Sequence, residues 1–97
     1  MPTYVQLVDY TEKGIMHVKE SPHRLDAAKA MIEDMGGRIL AFYLTMGPHD
    51  AVVVFEAPDD ETAALFSLRV GALGNVRTTT MRAFGEGEFR RIAARLP

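Results

Sequence analysis

The sequence predicts an α+β fold, and three observations carry the prediction. Short runs of alternating apolar residues occupy Thr3–Tyr10, Arg38–Met46, Asp50–Glu56 and Val76–Phe84. Two helix-like segments separate them in the order β-α-β-β-α-β, and a short amphipathic segment follows the last run. That order describes a ferredoxin-like sandwich: one four-stranded antiparallel sheet, both helices on one face, and a short C-terminal helix beyond. The other sheet face is bare. Tyr4, Val8, Tyr10, Val53 and Phe55 are expected to lie on it, and they are too apolar to leave wet. The pattern therefore also predicts self-association.

The elements follow in order. In the first run Tyr4, Gln6, Val8 and Tyr10 share one face, and Val5 and Leu7 the other. Thr11–Gly14 breaks the run, and Ile15–Lys19 allows a single helical turn. Ser21-Pro22 reads as a helix cap followed by proline at the first helical position. The helix then carries Leu25, Ala28, Ile32 and Met35 as one stripe until Gly36-Gly37 ends it. In the second strand Ile39, Phe42, Tyr43 and Leu44 predict that both faces are covered. Gly47-Pro48-His49-Asp50 is a turn, and Ala51–Phe55 is an unbroken apolar run typical of a central strand.

Pro58-Asp59-Asp60-Glu61 opens the second helix, with Asp59 as its cap and the acids against the positive end of the helix dipole. This helix bears two stripes, Leu65/Leu68/Ala72 and Phe66/Val70/Leu73, one more than a single sheet can cover. The spare one is expected to meet a neighbouring subunit or the C-terminal helix. Gly71 and Gly74 end the helix, and the threonines at 78–80 suit the strand that follows. Phe89, Ile92, Ala93 and Leu96 then recur with helical spacing in a segment too short to stand alone in water.

Ninety-seven residues, 47% of them hydrophobic and 25% charged, make one globular domain spanning 1–97. A net charge of −2 removes the electrostatic case for nucleic acid. The absence of cysteine excludes disulfides, thiolate metal sites and thiol catalysis. The chain enters a strand at Thr3 with no apolar signal core, and no apolar run approaches the roughly 20 residues of a membrane span. A cytoplasmic location is expected.

Several stretches together resemble the GYD-domain family. They are Met1-Pro2-Thr3-Tyr4-Val5, Ser21-Pro22 with Arg24-Leu25, Met35-Gly36-Gly37, Phe42–Gly47, Glu56–Glu61 and Gly74–Thr80. The resemblance covers essentially the whole chain. It implies a dimeric α/β barrel, in which two such sheets meet, and no particular reaction. Where the family reads Gly-x-Tyr-Asp, this chain has Gly47-Pro48-His49-Asp50, so the glycine and aspartate carry over and the tyrosine hydroxyl does not.

Topology adds a candidate site. In this fold the first and second strands run parallel and the third and fourth run against them, which gathers Asp9, Tyr10, Thr45, His49, Asp50 and Arg77 at one sheet edge, with His17 close behind. A histidine oriented by a carboxylate is a general base near neutral pH. Adjacent strand residues point to opposite faces, so His49 would need Asp9 or a residue from another subunit, and Asp50 would need His17. The plainer reading is a turn histidine and an aspartate that binds backbone amides. A zinc site from His17, His23 and His49 with Asp9 or Asp50 matches no compact ligand spacing, and neither metal nor cofactor is expected. Thr78, Thr80 and Arg82 share one face and could bind an anion. If Met1 were removed, the secondary amine of Pro2 could serve as a base.

The functional expectation is a homodimer or higher homo-oligomer that binds a small anionic or aromatic metabolite. The cleft would lie between sheet and helices or between subunits, opening near His49, Asp50 and Arg77. Asp9, Tyr10, Tyr43, His49, Arg77 and Arg82 are the expected ligand contacts, and His49, Asp50 and His17 the candidate catalytic groups. A non-catalytic assembly or regulatory module, and an isomerase- or monooxygenase-like acid–base enzyme using His49, are the alternatives. They are separable: an enzyme needs His49 inside a closed cavity, a module leaves it exposed beside a flat apolar surface.

Overall fold

Four antiparallel strands form the sheet: β1 (Thr3–Tyr10), β2 (Arg38–Leu44), β3 (Ala51–Glu56) and β4 (Val76–Ala83), in the spatial order β2-β3-β1-β4. The computed structural model describes residues 1–97. Helices α1 (Glu12–Met16), α2 (Ser21–Asp34), α3 (Asp60–Ala72) and α4 (Glu86–Ala93) complete it, with a 3-10 turn at Val18–Glu20. The β-α-β-β-α-β order and the α+β class stand as predicted, and β1 and β2 run parallel to each other because each is antiparallel to β3.

Local chemistry explains the boundaries. Thr11 caps α1, its hydroxyl accepting from the Gly14 amide at 3.1 Å, so the first turn starts earlier than Ile15. Gly14 is required there: a Cβ would lie 1.9 Å from the Asn75 carbonyl oxygen, where α1 meets the start of β4. The 3-10 turn runs straight into α2, which moves the cap from Ser21 to Glu20. Gly36, at φ +90°, ends the helix as expected. Asp59 caps α3 by accepting from the Thr62 amide at 2.8 Å. The Thr62 hydroxyl and amide hold the Asp59 carboxyl below its usual range.

The core lies between the sheet and helices α2 and α3. Phe55 is fully buried, stacked on Tyr4 at 5.2 Å and meeting the edge of Phe66 at 5.1 Å, with Ile32 and Ala63 closing the layer. This overturns the expected face assignment. Tyr4, Val8, Val53 and Phe55 lie under the chain's own helices, and Tyr10 is on that side too, bonded through its hydroxyl to Ser21 at 2.9 Å. The physical reason is Phe66 and Ile32, which fill the space over Phe55, while Gln6 on the same face finds Ser67 and Thr80.

The open face carries the residues one step out of phase. Reading across it, Ala41, Val54, Val5 and Met81 form one row and Tyr43, Val52, Leu7 and Thr79 the next. Arg38–Glu56 and Asp9–Arg77 bracket them at opposite ends. A second correction concerns β2, which is an edge strand with a bulge between Ile39 and Ala41; its Tyr43 and Leu44 are exposed rather than covered. On α3 the spare stripe stays free, with Leu65 and Leu68 exposed, and α4 leaves Phe89 and Ile92 exposed, as is Leu96 beyond it.

Candidate functional site

Two places gather the polar chemistry of this chain, one on each side of the sheet. The first is the corner of the open face at the end of β1. Asp9 lies opposite Arg77 in the β1–β4 register, and His49 Nδ1 stands 3.2 Å from the Asp9 carboxylate. Both side chains of that pair are 39% exposed. The turn that delivers His49 is fixed by Thr45, whose hydroxyl donates to the His49 carbonyl at 2.6 Å. Asp50 does structural work instead: its carboxylate accepts from the Tyr10 amide at 2.9 Å, and its own amide donates to the Val8 carbonyl. That is the plainer reading given above for an aspartate at a strand entry.

The remaining expected contacts disperse. His17 is not joined to Asp50; it lies with His23, Lys13, Glu20 and Arg24 around a shallow groove beside α1. Tyr43 is exposed on the edge strand. Arg82 lies on the helix side at the far end of β4, over the Phe84 ring at 4.6 Å and near Glu88 at 3.5 Å. There it also donates to the carbonyls of Thr3 and Ala83. The Gly85 amide and then the Arg82 guanidinium hold the Glu88 carboxyl below the usual carboxylate range. Thr78, Thr80 and Arg82 do share one side, in a shallow, open hollow with Tyr4, Asp60 and Ser67. Burial, and then the hydrogen bond to Asp60 at 2.5 Å, push the Tyr4 phenol up to about 12. No group of three or more histidine and carboxylate side chains converges in a form that could hold a metal.

The second place is a cleft of about 340 Å³ between the sheet, α2 and α3, inside the usual range for small-molecule sites. Val8, Leu25, Met31, Phe42, Val53 and Val70 make its walls. Its polar groups are few: Gln6, the Tyr10–Ser21 hydroxyl pair, and Lys13, Arg24 and Asn75. Lys13, Arg24, Ala27 and Asn75 also line the shallow groove, so the cleft opens there, away from His49 and Arg77. Of the expected ligand contacts only Tyr10 lines it. Sequence reasoning missed Lys13 and Arg24. The signal was present, because the segment that follows β1 must return across the same sheet edge where the polar residues collect.

Gln6 is the most informative polar residue. It is 3% exposed, and its side-chain nitrogen donates to Ser67 Oγ at 3.2 Å and Thr80 Oγ1 at 3.1 Å. The Ser67 hydroxyl donates to the Ala63 carbonyl at 3.0 Å, which leaves Thr80 as donor in the 2.8 Å contact between the two hydroxyls. Both hydroxyl protons are therefore spent. Only the amide nitrogen can satisfy the two oxygens, and the orientation of the carboxamide follows.

Comparison with known proteins agrees with this architecture. The chain is 36% identical over 84 residues to the glutamine synthetase and cystathionine beta-lyase binding protein of Thermus thermophilus, covering 86% of this chain and 88% of that protein. Among solved structures, the leucine response regulatory protein of Mycobacterium tuberculosis superposes with a TM-score of 0.65 at 15% identity. The match covers 87% of this chain and 51% of the regulator, so this chain spans about half its length. A 5-chloro-2-hydroxyhydroquinone dehydrochlorinase from Burkholderia phenoliruptrix superposes with a TM-score of 0.60 at 13% identity, over 90% of this chain and 97% of that one. These two likenesses concern the fold. A family model for the GYD domain matches residues 4–93, and the chain belongs to the GYD domain family.

Proposed function

We infer that this chain is a non-catalytic binding module that works as a homodimer joined through its open sheet face. The single observation that carries this reading is the anatomy of that face. Val5, Leu7, Val52, Val54 and Met81 form an apolar centre with no element of the chain over it. Charged residues rim it at both ends, Arg38 and Glu56 at one, Asp9 and Arg77 at the other. An apolar core inside a polar rim is how protein interfaces are built. His49 sits on the rim, 39% exposed, rather than in the cleft, which favours a module over acid–base catalysis. The Thermus thermophilus relative is named for binding two enzymes, and this supports an enzyme of amino-acid metabolism as the module's partner.

Sedimentation of wild type and Val54→Glu at micromolar concentration tests the dimer. The wild type is expected at twice the single-chain mass, and the variant, with a charge that costs several kcal/mol to bury in that centre, at the single-chain mass with an unchanged circular dichroism spectrum. A wild type that sediments as one chain overturns the reading. Adding purified glutamine synthetase or cystathionine beta-lyase from the same source to the same cells tests the partner.

A second reading rests on a different observation, the 340 Å³ cleft. Its apolar walls and few polar groups favour a small metabolite held on the helix side, independently of what covers the open face.

A further inference from the structure

We propose that the cleft takes a small apolar carboxylate with a hydroxyl at its opposite end, the hydroxyl donating to the Gln6 carbonyl oxygen and the carboxylate meeting Lys13 and Arg24 at the mouth. This rests on the second reading above, that the cleft is a ligand site, and adds which ligand chemistry fits it.

The inner anchor follows from hydrogen-bond accounting. The Gln6 nitrogen is committed to Ser67 and Thr80, so the oxygen is the group left over. No buried side-chain oxygen or nitrogen in the chain is sealed away without a partner. The Gln6 oxygen must therefore reach open space, and the open space that Gln6 lines is the cleft. A carbonyl oxygen in an apolar cavity accepts and cannot donate, so it selects a ligand that carries an N–H or O–H there. A neutral hydroxyl suits a site with no carboxylate nearby to balance an ammonium, since none lines the cleft.

The outer anchor is cationic. Lys13 gives one proton to the Leu73 carbonyl at 3.1 Å and keeps two. Arg24 reaches the carbonyls of His17 and Gly14 at 3.3 and 3.4 Å, long bonds for a guanidinium. Its acidic neighbour Glu20 is 4.0 Å away with a side chain 71% exposed, too solvated to cancel the charge. From Gln6 to Tyr10, the last residue of β1 before the mouth, the strand runs about 13 Å. A phenol joined to a carboxylate by a short chain spans that distance with one hydrogen bond at each end. The walls between, Val8, Phe42, Val53 and Val70 among them, suit a ring.

Calorimetric titration of the full chain with three probes tests this: para-hydroxyphenylpropionate, phenylpropionate, and the methyl ester of the hydroxylated acid. The hydroxylated acid is expected to bind tightest, with loss of the hydroxyl weakening binding about tenfold. Esterification should cost about tenfold as well. The Lys13→Met, Arg24→Met double variant, changed only at the mouth, should bind acid and ester alike while keeping the preference for the hydroxyl. Gln6→Leu should lose that preference and keep the preference for the acid. Equal binding of all three probes to the wild type overturns the ligand assignment while leaving the cleft as a site. Binding of none of them overturns both. Should Gln6→Leu fail to fold, the wild-type probe order and the mouth variant still decide.

Discussion

The two faces of this sheet are built from the same four strands, one residue out of phase, and they have different fates. Under α2 and α3, Tyr4, Val53 and Phe55 are 6% exposed or less. On the open side Val5, Leu7, Val52 and Val54 are only half-covered, and Met81 is 43% exposed. Apolar content alone does not separate the sets. What separates them is which one meets large side chains from far along the sequence, and here Phe66 and Ile32 decide it. A period of two gives two faces and leaves their assignment to long-range packing.

The largest test of this contrast is a matched truncation. Phe55→Ala, which removes the centre of the aromatic stack, should lower unfolding free energy by about 3–5 kcal/mol in urea titration. Its neighbour Val54→Ala, measured where the chains are dissociated, should cost about 0.5 kcal/mol. Comparable losses at both positions would mean that the open face is covered within one chain.

A smaller effect sharpens the helix-covered side. Tyr4 keeps its proton in the fold up to about pH 12, while an unfolded tyrosine loses it near 10. The folded state binds the extra proton across that window, so this contribution to stability is present below pH 10 and falls as pH rises to 12. Tyr4→Phe should cost about 1 kcal/mol at neutral pH for the lost bond to Asp60 and should flatten the decline between pH 10 and 12. Stability against pH, followed by circular dichroism, reads both.

The smallest effect belongs to the open side. His49→Gln should change stability by less than about 0.5 kcal/mol, because the pair with Asp9 is exposed on both partners. A larger loss at high chain concentration than at low would show that the corner is covered when copies associate.

The order of elements along the chain, the positions of α2 and α3 and the Asp59 cap were legible in the sequence because each is set within a few residues. The Thr11 and Glu20 caps were not. Asp59 with Thr62, and Gly36 at the end of α2, are local events. The gathering of Asp9, His49 and Arg77 was legible too, since topology alone brings those strand ends together. Face assignment was not. The serine and threonine that bury Gln6 on that face lie 61 and 74 residues away, beyond the reach of any local pattern. A cleft between sheet and helices was expected, but its mouth was not: Lys13 and Arg24 come together there only when α1 folds back against Asn75.

The Gln6 carboxamide has one consequence for mechanics. Turning α3 by a single residue would swing Ser67 through about 100° and strand one amide proton of Gln6 in a greasy interior, while the bond to Thr80 on β4 stayed in place. Greasy contacts tolerate small rotations, whereas the bond from Gln6 to Ser67 recognises one setting only. Val70 rides on the same helix, so the width of the chamber beneath it is governed by a polar latch, and a visitor cannot pry it wider without first unfastening that latch.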